Sequence, residues 1–350
     1  MADERRVETP RTIEWLGDRV RLIDQTRLPG RLVYKETADY RELAESIRRL
    51  EVRGAPAIGV AGALGLALAG LASDAGDFDG VRRNVAAAAE YLANTRPTAV
   101  NLRWALDRVL ERATESAGGV ASAFREALVE EAVGLMEEDR ELSRRIGRSG
   151  APLLDDGDTV LTHCNAGGLA TAEYGTALAV VYAAIEAGKE IRVFADETRP
   201  LLQGARLTTW ELTQRGIDVT LLVDGAAASA MARGLIDKVV VGADRIAANG
   251  DVANKIGTMP LAVAARRFGI PFYVAAPFST LDPSLSSGAK IPIEERSPDE
   301  VTGFGGVRTA PEGVSVYNPA FDVTPAELVG AIITDSGVFR PPYEKTLFGG

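Results

Sequence analysis

Residues 159–195 read TVLTHCNAGGLATAEYGTALAVVYAAIEAGKEIRVFA. An apolar run, Thr159–His163, is followed by a helical pattern over Ala170–Ala187 and a second apolar run, Ile191–Ala195. The alternation continues downstream. Leu202–Arg215 reads as helix, Val219–Val223 as strand and Ala226–Arg233 as helix. Lys238–Val241 is again strand-like, Gly257–Phe268 helical and Pro271–Ala276 strand-like. Strands rich in Val, Ile and Leu on both faces, each followed by a helix, predict a parallel sheet covered on both sides. The expected fold is therefore α/β, with a doubly wound, Rossmann-like domain. Ligands of such sheets bind in the crevice beyond the carboxyl ends of the strands. Those ends carry Cys164-Asn165-Ala166-Gly167-Gly168, Asp196-Glu197, Asp224-Gly225, Gly242-Ala243-Asp244 and Ala276-Pro277. Topology alone brings a thiol and several carboxylates to one edge of the sheet.

Upstream the pattern differs. Trp15, Val20, Leu22 and Ile23 around Gly17-Asp18 predict a short hairpin, and an extended segment follows Pro29-Gly30. Helical spacing then covers 38–51, 57–72, 76–95, 98–116 and 120–148, broken by Gly54-Ala55-Pro56, Arg96-Pro97 and Gly118-Gly119. The expected division is a mainly helical domain over 1–148 and the Rossmann-like domain over 149–350. In the Pro- and Gly-rich tail a strand is expected at Val314–Tyr317 and a helix at Pro325–Ile333. The uncharged run Ala55–Ala72 has the length of a membrane span, but Ala and Gly dominate it and it reads as a buried, closely packed helix.

Acidic residues outnumber basic ones 49 to 39 in 350 residues, a net charge of −10. Such a chain is a poor partner for nucleic acid or an anionic membrane, both of which select basic surfaces. Only six of the 39 basic residues are lysine, a ratio that either salt adaptation or coding bias produces. One cysteine, Cys164, and one histidine, His163, are adjacent. A single cysteine excludes an internal disulfide, and the two together cannot build a four-ligand Cys/His zinc site or an H-E-x-x-H centre. The opening MADERRVETPRT has no apolar core of a secretion signal, and a cytoplasmic protein is expected.

Several residues could carry chemistry. Cys164 follows a strand and precedes glycines and an expected helix, whose N-terminus would favour a thiolate; a free cysteine also often simply packs. His163 is next to it, but adjacent strand residues point to opposite faces, so a Cys–His dyad is not expected. Asp244, beyond KVVVGA, suits a general acid or base, or merely a partner for Arg245. The loop Asn249–Thr258 places Asn254 and Lys255 ahead of a helix start, a setting for phosphate. Arg53-Gly54-Ala55-Pro56 offers a guanidinium at another helix start, and Arg96-Pro97-Thr98 a second cation. There is no G-x-x-x-x-G-K-[ST] loop, and Asn165–Gly168 lacks G-x-G-x-x-G, so a nucleotide cofactor has little support. Proton transfer on a small sugar phosphate fits this inventory.

The strings themselves resemble a known family. They are Thr12-Ile13-Glu14-Trp15, Ile23-Asp24-Gln25-Thr26, Val52-Arg53-Gly54-Ala55-Pro56-Ala57-Ile58-Gly59 and Arg96-Pro97-Thr98-Ala99-Val100-Asn101-Leu102. Further on come Thr162-His163-Cys164-Asn165-Ala166-Gly167, Glu197-Thr198-Arg199-Pro200-Leu201-Leu202-Gln203-Gly204, Val241-Gly242-Ala243-Asp244-Arg245 and Asn254-Lys255-Ile256-Gly257-Thr258. The last is Asn318-Pro319-Ala320-Phe321-Asp322. Across nearly the whole chain the sequence is similar to the methylthioribose-1-phosphate isomerase family, shared with regulatory eIF2B subunits and archaeal ribose-1,5-bisphosphate isomerases. The resemblance implies an aldose–ketose isomerase of methionine salvage, forming 5-methylthioribulose 1-phosphate. It implies catalytic roles for Cys164 and Asp244, and substrate contacts from Arg53, Gly54, Ala55, Arg96, Gln203, Asn254 and Lys255. It further implies a homodimer that uses neither cofactor nor metal. Isomerases of ribose 1,5-bisphosphate or 5-deoxyribose 1-phosphate, and a non-catalytic regulatory subunit, are the alternatives. The Trp15 and Asp24-Gln25-Thr26 segment resembles the methylthioribose branch more than the bisphosphate one.

Overall fold

The computed structural model describes residues 11–97 and 99–347. The charged opening up to residue 10, and Thr98 of an expected helix, lie outside the described residues. The chain forms two compact units: one runs up to Arg144 and adds Gly167–Gly175, the other holds residues 145–166 and the chain from Thr176 on. The expected boundary at 148/149 falls in the last turn of a long helix, Ala121–Gly150.

The first unit opens with an antiparallel sheet of β1 (Ile13–Trp15), β2 (Val20–Ile23) and β3 (Tyr34–Thr37). Its helices are α1 (Tyr40–Arg48), α2 (Ala55–Ala72), α3 (Phe78–Ala93), α4 (Val100–Ser116) and the part of α5 (Ala121–Gly150) up to Arg144. Side chains fix two helix starts: Asp39 accepts from the Arg41 N–H, and Asp77 from the Gly80 N–H. Helix α2 is apolar all round because it is buried all round. Its glycines admit neighbouring leucines: a Cβ on Gly62 would lie 2.5 Å from Leu102, on Gly65 2.9 Å from Leu92, and on Gly70 2.6 Å from Leu128. Among the described residues α2 is the one helix long and apolar enough to cross a membrane, and its own unit encloses it. The segment Gly167–Gly175 is built into the same unit. Thr12 Oγ1 donates to the Gly168 carbonyl (2.6 Å), Gln25 Nε2 to that of Leu169 (2.8 Å), and the Ala172 N–H to Asp139 (2.6 Å).

The second unit contains β4 (Thr159–Thr162), β5 (Arg192–Asp196), β6 (Val219–Leu222), β7 (Lys238–Val241), β8 (Arg245–Ala247) and β9 (Val252–Lys255). Next come β10 (Phe272–Ala275), β11 (Leu281–Asp282), a small hairpin of β12 (Gly303–Phe304) and β13 (Val307–Arg308), β14 (Phe321–Thr324), β15 (Ala331–Thr334) and β16 (Gly337–Phe339). Its principal helices are α6 (Ala177–Glu186), α7 (Thr209–Gln214), α8 (Ala227–Ala232) and α9 (Thr258–Phe268). The main sheet runs β6-β5-β4-β7-β10-β15-β16, parallel except for β16. Counted along the chain its six parallel strands stand in the order 3-2-1-4-5-6, the doubly wound order, with the reversal between β4 and β7. A second, mixed sheet, β11-β8-β9-β14, adjoins the chain leaving β7.

Four local expectations are corrected. Val314–Tyr317 forms no strand, and Pro325–Ile333 forms no helix beyond a single 3-10 turn at Ala326–Leu328. The β-branched run that follows instead pairs with β10 as β15, whose four residues are all buried. The stretch before α9 is not simply a loop: Asn249-Gly250 turns an antiparallel pair, β8 and β9, with Gly250 at φ +87°. The helix expected from Ala170 begins only at Ala177, because the residues before Thr176 belong to the other unit.

Candidate active site

Strand β4, TVLT, is fully buried, so its position in the sheet is fixed by burial and by parallel pairing with β5 and β7. Beyond it His163 is 1% exposed. Its Nδ1 lies 2.9 Å from Asp196 Oδ2 and its Nε2 2.8 Å from the Ile256 carbonyl oxygen. A carbonyl only accepts, so Nε2 carries a proton. Burial pulls the His163 pKa down, but the hydrogen bond to Asp196, that carboxylate's charge and the Ile256 carbonyl reverse this, and the net direction is up. Burial pushes Asp196 up, opposed by His163. One proton is shared between Nδ1 and Oδ2, so the pair has no net charge. No Cys–His dyad forms, as expected, but the reason differs. Cys164 has φ +64°, so the alternation of strand side chains stops before it; the His163 nitrogens are simply engaged elsewhere.

Cys164 is half-buried and pinned on both sides of its backbone. Its N–H donates to Thr198 Oγ1 (2.8 Å), and its carbonyl accepts from Thr208 Oγ1 (2.6 Å). Thr198, itself left-handed at φ +65°, donates its N–H to Asp224 Oδ1, and the next N–H, from Arg199, goes to Asp224 Oδ2 (both 2.7 Å). The ends of β4, β5 and β6 are thereby laced together. The expectation that Cys164 sits at a helix N-terminus is overturned, since α6 starts at Ala177. Asn165, next along, donates to Glu211 Oε1 (2.7 Å).

Gln203 opens a single π-helical turn, Gly204–Thr208, of the kind that re-aims side chains at functional sites. It is 7% exposed, and its Oε1 has no protein partner. Such a buried acceptor calls for a donor from outside the protein.

On the far side of the topological switch, the register that pairs Leu161 with Val239 brings the Cys164 position level with Gly242. A Cβ on Gly242 would lie 2.9 Å from that of Ala166, so the two strand exits pass in contact. Two residues later Asp244, half-buried, donates its N–H to the Ala253 carbonyl (2.9 Å). The pairing of Arg245 with Ala253 makes Asp244 and Asn254 the next facing positions. Lys255 is 9% exposed, with Nζ 5.3 Å from the Phe321 ring centroid. Asn254 Nδ2 donates to Thr258 Oγ1 (3.0 Å). The first N–H groups of α9 are taken: Gly257 and Met259 donate to the two Asp322 oxygens (2.8 and 3.0 Å). Burial nonetheless leaves the Asp322 pKa raised. The backbone donors at the start of α9 are thus already engaged, and Asn254 and Lys255 stand at the end of the strand before it.

Cys164, Gln203, Asp244, Asn254 and Lys255 thus collect at the carboxyl edge of one sheet. The remaining expected contacts belong to the first unit. Arg53 is buried and donates through Nε to Gln25 Oε1 (3.0 Å). Gly54, at φ +97°, leaves no room for a side chain beside Ala170 (2.6 Å) and caps α2, of which Ala55 is the first residue. That helix start has neither an acidic first turn nor a side-chain cap, whereas at α9 the distant Asp322 supplies the acceptors. Arg96, half-buried, lies between α3 and α4.

His163, Asp196 and Asp224 offer donor atoms within 4.8 Å of one another, a group that sequence spacing did not reveal. Both His163 nitrogens and both Asp224 oxygens are engaged in hydrogen bonds within the protein. Strand-end position and the two apolar runs before it were the available signal for Asp196. Arg206 and Arg245 are pushed to lower pKa by burial, the latter 3.6 Å from Asp282.

Residues 51–341 match the model of the Initiation factor 2 subunit family. A methylthioribose-1-phosphate isomerase of Geotalea uraniireducens is 58% identical over 337 residues, covering 96% of this chain and 97% of that protein. A 5-deoxyribose 1-phosphate isomerase of Moorella thermoacetica is 57% identical over 335 residues, covering 96% and 95%. Among solved structures, 5-methylthioribose 1-phosphate isomerase of Pyrococcus horikoshii superposes with a TM-score of 0.92 at 47% identity, covering 97% of this chain and 95% of that one. Translation initiation factor eIF-2B subunit delta of A. fulgidus does so at 0.88 and 50% identity, covering 96% and 98%. With a thiol and a carboxylate on either side of the switch point, and relatives of this identity along its whole length, the chain belongs to the Initiation factor 2 subunit family.

Proposed function

We propose that the protein is an aldose–ketose isomerase that converts 5-methylthio-D-ribose 1-phosphate to 5-methylthio-D-ribulose 1-phosphate. The observation that carries this reading is the placement of Cys164 and Asp244 beyond β4 and β7, with Asn254 and Lys255 beside Asp244. The chemistry needs such a pair. Phosphorylation of the anomeric oxygen prevents the ring from opening to a free aldehyde. An acid must protonate the ring oxygen as the C1–O bond breaks, while a base removes the C2 proton. The electron pair forms a C1=C2 enediol phosphate, and a proton delivered to C1 with loss of the C2 hydroxyl proton gives the ketose. We assign Asp244 as the acid and Cys164 as the base. Asn254, Lys255, Gln203, Arg53, Gly54, Ala55 and Arg96 are assigned to substrate binding.

Turnover of the methylthio, 5-deoxy and 5-phospho sugars by the purified protein tests the reading, the first being expected to give the highest kcat/KM. Cys164→Ser and Asp244→Asn should each lower kcat by about 10²–10⁴, the usual worth of a positioned acid or base. Wild-type rates in either variant would remove the assignment. In deuterated water an exchangeable enediol route labels C1 of the product, whereas a hydride shift leaves it unlabelled.

A second reading, the 5-deoxyribose 1-phosphate isomerase, is favoured by a relative of almost equal identity, and the same assay separates the two. A regulatory subunit without activity would turn over none of the three sugars. We further propose a homodimer, to be checked by light scattering.

A further inference from the structure

We propose that His163 is a positioning residue: held between Asp196 and the Ile256 carbonyl, it fixes Cys164 in its left-handed turn and ties that turn to the strand end bearing Asn254 and Lys255. The inference rests on the reading of Cys164 as the reacting group. Its support is geometric. His163 is the residue before Cys164, and Ile256 the residue after Lys255, so one imidazole bridges the thiol-bearing exit of β4 and the phosphate-binding end of β9 at 2.8 Å. Its other nitrogen holds Asp196, two residues before the Thr198 hydroxyl that accepts the Cys164 N–H. The seat is cut to the ring: a Cβ on Gly257 would lie 2.7 Å from the imidazole Cε1, and Gly257 is at φ +104°. A non-glycine residue does not hold φ near +64° without support from its surroundings, and at Cys164 two threonine hydroxyls and His163 supply it. Because the His163–Asp196 pair is neutral as a whole, it can stand behind the thiol without adding charge. Removing the imidazole takes from Asp196 its hydrogen-bond partner and leaves three carboxylates that face the ring, Asp196, Asp224 and Asp322, without its offsetting charge, although Asp224 and Asp322 keep their backbone N–H donors.

The lone cysteine gives a readout that needs no substrate. Alkylation of the intact protein by iodoacetamide, followed by mass spectrometry from pH 6 to 9, reports Cys164 alone. His163→Gln is expected to raise the pH midpoint of alkylation and to slow it at pH 7 about tenfold, the change in thiolate fraction that accompanies one pKa unit. Its kcat should fall and its KM rise together, since both strand ends lose their tie. Asp196→Asn can donate to Nδ1 of a neutral His163 that still donates to Ile256, and should alkylate much as wild type does. Asp196→Ala cannot, and should behave like His163→Gln. Wild-type alkylation in a folded His163→Gln protein would overturn the proposal. If that variant does not fold, identical alkylation of Asp196→Asn and Asp196→Ala would overturn it equally. Failure of the isomerase reading would appear separately, as absence of sugar-phosphate turnover with the alkylation pattern intact.

Discussion

A single carbon added to Gly204 would sit 1.6 Å from the carbonyl oxygen of Asp196, closer than any non-bonded pair tolerates. Gly204→Ala should therefore push the π-turn away from β5 and carry Gln203 and Thr208 with it. The expected result is loss of activity, with a fall in Tm beyond that of an ordinary surface substitution, read by thermal denaturation beside a turnover assay. At this scale the sequence was partly legible. Cys164 and Asp244 stood out as reactive types at strand ends, and their unlike neighbours did not obscure them. The partners of His163 were not legible, because Asp196 lies 33 residues away and Ile256 93 residues away, separations no local pattern reports. The left-handed turn at Cys164 was equally hidden, since neither Gly nor Asn marks it.

Among the elements, the start of α9 shows how a helix can be capped from a distance. Asp322, on β14, supplies both acceptors that local sequence does not. Asp322→Ala should lower stability by about 1–2 kcal/mol, the usual worth of a cap, and raise KM for the sugar phosphate, because Lys255 faces Phe321 in the same register. Urea denaturation and steady-state kinetics check the two halves. In the other unit, Gly62→Leu places bulk where a Cβ alone already lies 2.5 Å from Leu102, and should cost about 1–3 kcal/mol or more through overpacking. Strands β4, β7 and β10 were legible because burial on both faces fills them mainly with Val, Leu, Phe and Ala, with their polar residues mostly at the ends. Strand β9, VANK, was not: it is buried yet half polar, Asn254 and Lys255 being two of the residues assigned above to substrate binding. Its Asn249-Gly250 turn was the signal that could have revealed it. Strand β15 follows a proline and a glutamate that read as a helix start, and only its pairing with β10 decides otherwise.

For the molecule as a whole, Asp139 makes stability depend on pH. Burial pushes its pKa from 3.8 up to about 6, although it accepts the Ala172 N–H. A carboxyl that binds its proton more tightly folded than unfolded favours the native state as pH falls; that advantage is lost as pH rises through about 6. The gap corresponds to about 2 kcal/mol between pH 4 and pH 7 from this group alone. Asp139→Asn, which cannot ionise, should gain in Tm on the wild type as pH rises across that window. A pH-independent difference between the two would show that the group does not titrate there. The contact of Asp139 with Ala172 also has a consequence for synthesis. Neither unit is one unbroken stretch of polypeptide: the first needs Gly167–Gly175, which the ribosome makes only after β4 has begun the other. A nascent chain of 144 residues holds Thr12, Gln25 and Asp139 with the bonds they make to Gly168, Leu169 and Ala172 still unmade. Synthesis therefore passes residue 144 with the first unit unfinished, and a gene cut between 144 and 145 would leave the first fragment without a segment of its own unit, carried instead by the second.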